Sequence, residues 1–233
     1  WYSVAYGNGK FVVITNSSNK AAYSTDGIIW TETILPLSAS WYNVTYGNGK
    51  FVAVAENTNK AAYSKDGVTW IEIALPSSAK WRSITYGDGK FVMVANSTKK
   101  AAYSEDGIAW TETTLPSSGC WSGITYGDGK FVAVAQNDII YSTDGITWTK
   151  ANIPSLSWWY RVSYGNGKFV AVAFDRDKAA YSSNGINWKE TTLPFSVSWF
   201  AVAYGNGKFV AVAGSSNKAA CAANGISRTE PRL

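Results

Sequence analysis

Few side chains of this 233-residue chain are placed to do acid–base or metal chemistry. Histidine is absent, which removes Ser-His-Asp and Cys-His nucleophile pairs and every His-based metal site. Carboxylates for a glycosidase-type pair could come from Glu56, Asp138, Asp175 and Asp177, but they stand in variable polar loops on different segments, and such a pair needs a fixed separation. The expectation is a chain that is not an enzyme and needs no cofactor or metal.

Recognition chemistry is better supplied. Six tryptophans, Trp1, Trp41, Trp81, Trp121, Trp159 and Trp199, are followed by Tyr2, Tyr42, Arg82, Ser122, Tyr160 and Phe200. Aromatic planes beside Asn, Ser, Thr and Asp side chains suit a sugar, whose C–H face packs on rings while its hydroxyls take directed hydrogen bonds. The candidate ligand-binding set is therefore Trp1, Tyr2, Trp41, Tyr42, Trp81, Arg82, Trp121, Trp159, Tyr160, Trp199 and Phe200. Against it stands a plainer reading, in which the tryptophans only wedge neighbouring segments together.

The elements that must hold these residues come from a block of about forty residues that recurs six times. Each copy begins Trp-x-x-Val/Ile-x-Tyr-Gly-Asn/Asp-Gly-Lys-Phe-Val-x-Val/Ile, and all but the last continue to Tyr-Ser-x-Asp/Asn-Gly-Ile/Val-x-Trp. Asn-Gly or Asp-Gly supplies the two positive-φ residues of a type I′ hairpin. The next strand, such as 51–55, is continuously apolar, as a strand covered on both faces should be. A third strand ends at the second Gly turn and a fourth begins at the tryptophan. A fixed period of this length carrying strands predicts an all-β fold, a six-bladed β-propeller of four-stranded antiparallel blades. The expected blades are 1–40, 41–80, 81–120, 121–158, 159–198 and 199–233 of one domain, 1–233, closed by blade-to-blade packing. The last blade is degenerate, with Arg228 where tryptophan belongs.

Strand order puts both tight turns on one edge of each copy and the second-to-third loops on the other. The turn edge is nearly invariant, whereas the loops differ, from Asn16-Ser17-Ser18-Asn19 to Gln136-Asn137-Asp138. A shared scaffold with varied loops places recognition on the loops.

Composition narrows the function classes. Apolar residues are 46% and charged residues 16%, so there is enough apolar surface for a core and no disordered tract to explain. The net charge of +5 is spread by the repeat, with Lys10, Lys50, Lys90, Lys130, Lys168 and Lys208 after the first turns and aspartates at the second turns to offset them. No nucleic-acid partner is expected from that distribution. No window is apolar over the ~20 residues a membrane span requires. Cys120 and Cys221 fall near opposite ends of their copies, which disfavours a disulfide.

The second turn resembles the Asp-box of sialidase-type repeats, usually written Ser-x-Asp-x-Gly-x-x-Trp, here one residue shorter as Ser64-Lys65-Asp66-Gly67-Val68-Thr69-Trp70. The same spacing recurs at 24–30, 104–110, 142–148 and, with Asn184 for Asp, 182–188. In that family the box is a folding device found on proteins of many activities, so the resemblance implies a structural role for these residues. A sialidase itself would need an arginine cluster, and the arginines here are Arg82, Arg161, Arg176, Arg228 and Arg232, two of them in the degenerate tail. The architecture is similar to that of six-bladed lectins, and the tandem copies look like segments of bacterial surface proteins and phage tail fibres. Both resemblances imply an extracellular or particle-surface module whose partners are glycans or another cell-surface ligand. The leading expectation is a carbohydrate-binding lectin or adhesin acting through its loop edge. The alternative is a protein-interaction or structural domain of a larger surface or fibre protein. A lectin predicts exposed aromatic pockets repeated at equivalent positions; a scaffold predicts one continuous, non-repeating patch.

Overall fold

The computed structural model describes residues 1–174, 177–214 and 216–223, and all their regular secondary structure is β. The first turns set the frame. In all six copies the Asn or Asp of the turn has φ between 44° and 49° and the following glycine between 69° and 76°. Two consecutive positive φ values are the type I′ geometry, whose twist matches that of the strands it joins. Each turn therefore closes a tight hairpin with identical register, as in Gly7↔Lys10, Gly47↔Lys50 and Gly165↔Lys168.

The chain divides into two compact units, Trp1–Leu115 and Pro116–Leu233. In the first, the strands follow chain order in one ten-stranded antiparallel sheet. The separate four-stranded blades expected from the repeat are not what forms here. The strand Thr31–Gly47 pairs first with Ser18–Ser24, through Tyr23↔Thr31 and Lys20↔Ile34, and then with Lys50–Glu56, through Trp41↔Ala55. Ile71–Gly87 does the same one copy later. The outer strand of one copy thus runs on as the inner strand of the next. Pro36 and Pro76 are tolerated because they lie where the register shifts, between Ile34 and Ala39 or Ala74 and Ala79, so no ladder bond needs their missing N–H.

In the second unit the copies stay apart, as sheets of four, four and three strands. The last sheet comprises Trp199–Gly205, Lys208–Ala213 and Ala219–Ala222. The degenerate box expected from Asn224 to Arg228 lies outside the described residues.

The core sits between consecutive copies. Val12, Ile14 and Ala21 of the first copy pack with Trp41, Phe51, Ala53 and Trp70 of the second. Val52 and Val54 of the second pack with Trp81, Phe91 and Met93 of the third, and Val132 and Val134 of the fourth with Trp159, Phe169 and Trp188 of the fifth. Burying each such side chain contributes about 1.5–3 kcal/mol, so the seams supply most of the cohesion. Glycine lets them close. A Cβ on Gly47 would lie 2.0 Å from the ring of Tyr86, because the tyrosine of the following copy lies directly on the glycine that ends the first strand.

Candidate functional site

The two edges of the copies differ in what their polar atoms do. On the turn edge, the serine of each box donates to the following Asp or Asn, at 2.9 Å for Ser64 to Asp66 and 3.1 Å for Ser182 to Asn184. Its oxygen accepts the Gly67 amide at 2.8 Å, while Asp66 Oδ1 accepts the amides of Val68 and Thr69, each at 2.8 Å. Burial raises the pKa of Asp66, yet the amides of Thr69 and Val68 and the Ser64 hydroxyl outweigh it and hold the carboxyl at about 2. Asp144 sits at about 2 for the same reasons, with Thr147, Ile146 and Ser142 as donors. The first turn of one copy also reaches the box of the next: Lys10 Nζ donates to the Asp66 carbonyl at 3.0 Å and Asn48 Nδ2 to that of Glu105 at 3.1 Å. This edge is consumed by its own structure.

On the loop edge, five of the six opening tryptophans leave the candidate binding set. Trp41, Trp81, Trp121, Trp159 and Trp199 are fully buried, and only Trp1 is exposed. The indole N–H of Trp41 donates to the Leu37 carbonyl at 3.1 Å, and those of Trp81 and Trp121 to the Ser77 and Ser117 carbonyls at 3.3 Å. They plug the seam and brace the incoming connection, so no surface is left on them for a ligand.

The residues after the tryptophans do reach one another. In the first unit, Tyr2 and Tyr42 meet edge to face with ring centroids 4.6 Å apart, and the Arg82 guanidinium lies 4.9 Å from the Tyr42 centroid. Arg82 is ion-paired with Glu56. In the second unit, Ser122 is buried and donates to the Tyr160 carbonyl at 2.9 Å. Tyr160 is buried as well, with Phe174 at 5.2 Å, Phe200 at 5.3 Å and Arg161 at 4.3 Å. Phe174 also meets Phe200 at 5.2 Å and Trp158 at 4.9 Å. These partners were missed in the sequence. The signal was there: Glu56 and Phe174 both open the loop after the second strand, and each meets the residue after the opening tryptophan of the following copy, Arg82 or Phe200.

Of the four carboxylates considered for catalysis, Glu56 is held by Arg82, and Asp138 by Lys150 at 2.9 Å and the Ser117 hydroxyl at 2.6 Å. Asp177 takes the Leu193 amide on its backbone carbonyl, and Asp175 lies outside the described residues. Elsewhere on this edge lysine–glutamate pairs recur twelve residues apart, Lys60 with Glu72, Lys100 with Glu112 and Lys178 with Glu190. Ser77 and Ser155 of the preceding connections donate to Glu112 and Glu190, a contact that helps hold the Glu190 carboxyl below its usual range. Among the described residues no three metal-ligating side chains converge, and no helix is long and apolar enough to cross a membrane.

No curated protein matches the sequence. Among solved structures, the chain is similar to virginiamycin B lyase from Staphylococcus aureus, with 20% identity and a TM-score of 0.88 over 100% of this chain and 84% of that one. A streptogramin B lyase gives 18% identity and 0.89, over 100% of this chain and 82% of that one. YCF48 bound to D1 peptide gives 16% and 0.63, over 80% and 64%. The lyases correct the expectation that the chain is not an enzyme. Their fold, which is also this chain's, carries catalysis there, so the architecture does not exclude it here. Residues 73–198, more than half of the chain, match the DUF6242 β-propeller domain, and the chain belongs to that family.

Proposed function

We propose that this propeller binds an extended peptide segment of a partner protein along its loop edge, each copy of the repeat serving as one blade. The observation that carries this reading is the strip formed by Tyr2, Tyr42, Arg82 and Glu56, three consecutive copies contributing different groups to one continuous surface. Tyrosine faces offer rigid apolar contact with little entropy to lose, and an arginine–glutamate pair beside them offers directed partners for backbone amides and carbonyls. A sugar-binding lectin would instead repeat one pocket, whereas the equivalent residues here range from exposed Tyr2 to buried Ser122 and Tyr160. YCF48, whose fold is similar, is bound to a peptide in its structure, which supports the reading at the level of fold.

The test is selection from a displayed peptide library against the purified chain, followed by titration of the selected peptides against Tyr42→Ala and Arg82→Ala. Binding lost in both variants supports the strip. A chain that selects no peptide but binds particular glycans on an array, with loss in a Tyr2/Tyr42/Tyr160 triple alanine variant, returns the assignment to carbohydrate.

A further inference from the structure

Three seams inside the two units are built alike, each receiving the tryptophan that closes the box of its later copy. Trp70 packs into the seam between the first and second copies, Trp110 between the second and third, and Trp188 between the fourth and fifth. Trp188 shares its cluster with Val132, Val134, Ile153, Val162, Phe169 and Ala180. In the seam between the fifth and sixth copies the same positions are filled by Val170, Val172, Leu193, Val202, Phe209 and Ala220, but position 228, which answers to the tryptophan, is arginine.

Those six residues line a cavity. Side chains that surround an indole in the preceding seam thus surround a space in this one. Among the described residues that line it, only Thr191, Thr192 and Cys221 carry polar side-chain atoms, and there is no Asp, Glu, Lys or Arg. Arginine at 228 is no substitute filler, because a guanidinium buried among these residues would lack a carboxylate to pair with. Apolar cavities stay dry and take apolar ligands. Cores relax only part-way around a missing side chain, and the space left here is about 30 Å³. An indole displaces more than that, so it seats by spreading the seam to the width that Trp188 holds in the preceding one.

We infer that this cavity is a binding site for a neutral, bicyclic aromatic small molecule of the indole class. The preceding seam defines the ligand. Trp188 meets Phe169 at 6.4 Å between ring centroids, tilted by 50°, and Phe209 stands in the position of Phe169 on the cavity wall. A planar ligand there gains the same ring and the same pair of valines, contacts that a void forfeits. A charged ligand is disfavoured, since no lining side chain among the described residues would pair with it. The site lies within the second unit and does not rest on the peptide-binding strip of the first.

The test titrates indole into the 233-residue chain by calorimetry and uses the half-buried Cys221 thiol, which lines the cavity, as a local reporter. Cys120→Ser leaves Cys221 as the single thiol of the chain. Saturable binding is expected with a dissociation constant of about 1 mM or tighter, the range open to so small an apolar ligand. Indole is also expected to slow modification of Cys221 by a disulfide reagent several-fold. Arg228→Trp, which returns the box residue to the sixth copy, is expected to melt several degrees higher and to lose both the binding and the protection. Ala220→Leu fills the same space from the strand Ala219–Ala222 and is expected to lose both as well, which keeps the test decisive should Arg228→Trp fail to fold. The inference is overturned if indole neither binds nor protects Cys221 up to its solubility limit. It is equally overturned if binding persists in both filled variants, or if it leaves Cys221 reactivity unaltered.

Discussion

Ser64 and Asp66 on the turn edge and Arg82 and Glu56 on the loop edge are polar groups of similar kinds put to opposite uses. The turn-edge pair satisfies three amides of its own turn, and the same bonds recur in five copies. The loop-edge pair bridges two copies beside Tyr42, and among the described residues no other copy repeats it. Repetition therefore tracks what a group does for the backbone. Where the polar atoms close a turn the sequence is constant; where they face outward it is free to differ, and recognition can be written there.

The sharpest way to break this contrast is at Gly47. Gly47→Leu must displace Tyr86 from the seam, and the overlap at 2.0 Å predicts a loss above ~4 kcal/mol or failure to fold, read by chemical denaturation. Asp66→Ala, which strips the acceptor from two turn amides, is expected to cost about 1–2 kcal/mol. Asp66→Asn should retain most of the stability, because Asn184 already does the same work, accepting from Ile186 and Asn187 at 3.0 and 2.9 Å. Acid sharpens the same point. Asp66 and Asp144, held at about 2 against an ordinary 3.8, lend stability that is complete above 3.8 and is lost as pH falls through 2. A urea midpoint followed down that range should decline, and less so in the Asp66→Asn variant. On the loop edge, Arg82→Ala is expected to change stability by no more than ~1 kcal/mol, the scale of a partly exposed ion pair, while removing peptide binding. The smallest effect is at Ser97, whose φ of 61° belongs to the left-handed region; Ser97→Gly is expected to raise the melting temperature slightly, gaining less than ~1 kcal/mol.

The turns were legible because their rule is local: Asn-Gly or Asp-Gly needs no distant partner to dictate two positive φ values. The apolar second strands were legible too, since five consecutive apolar residues such as 51–55 can only be covered on both faces. The continuity of Thr31–Gly47 was not, because pairing of Ser18 with Ala39 is settled by geometry across the sheet and not by any local pattern. The opening tryptophans were misread for a related reason. A tryptophan at the entry of a strand looks alike whether it plugs a seam or lines a pocket, and only the carbonyl that it meets four residues back, as with Trp41 and Leu37, tells them apart. The loop-edge pairs joined residues about 26 apart in the chain, Glu56 with Arg82 and Phe174 with Phe200, and became visible once copies were compared position by position.

The unbroken strands Thr31–Gly47 and Ile71–Gly87 bear on how the molecule takes mechanical load. A pull on one end of such a strand is shared between two hydrogen-bonded partners on successive copies, so the shear is resisted along its whole length at once. The first three copies should yield under tension as one event, whereas the fourth to sixth, tied by irregular connections, can rip one after another.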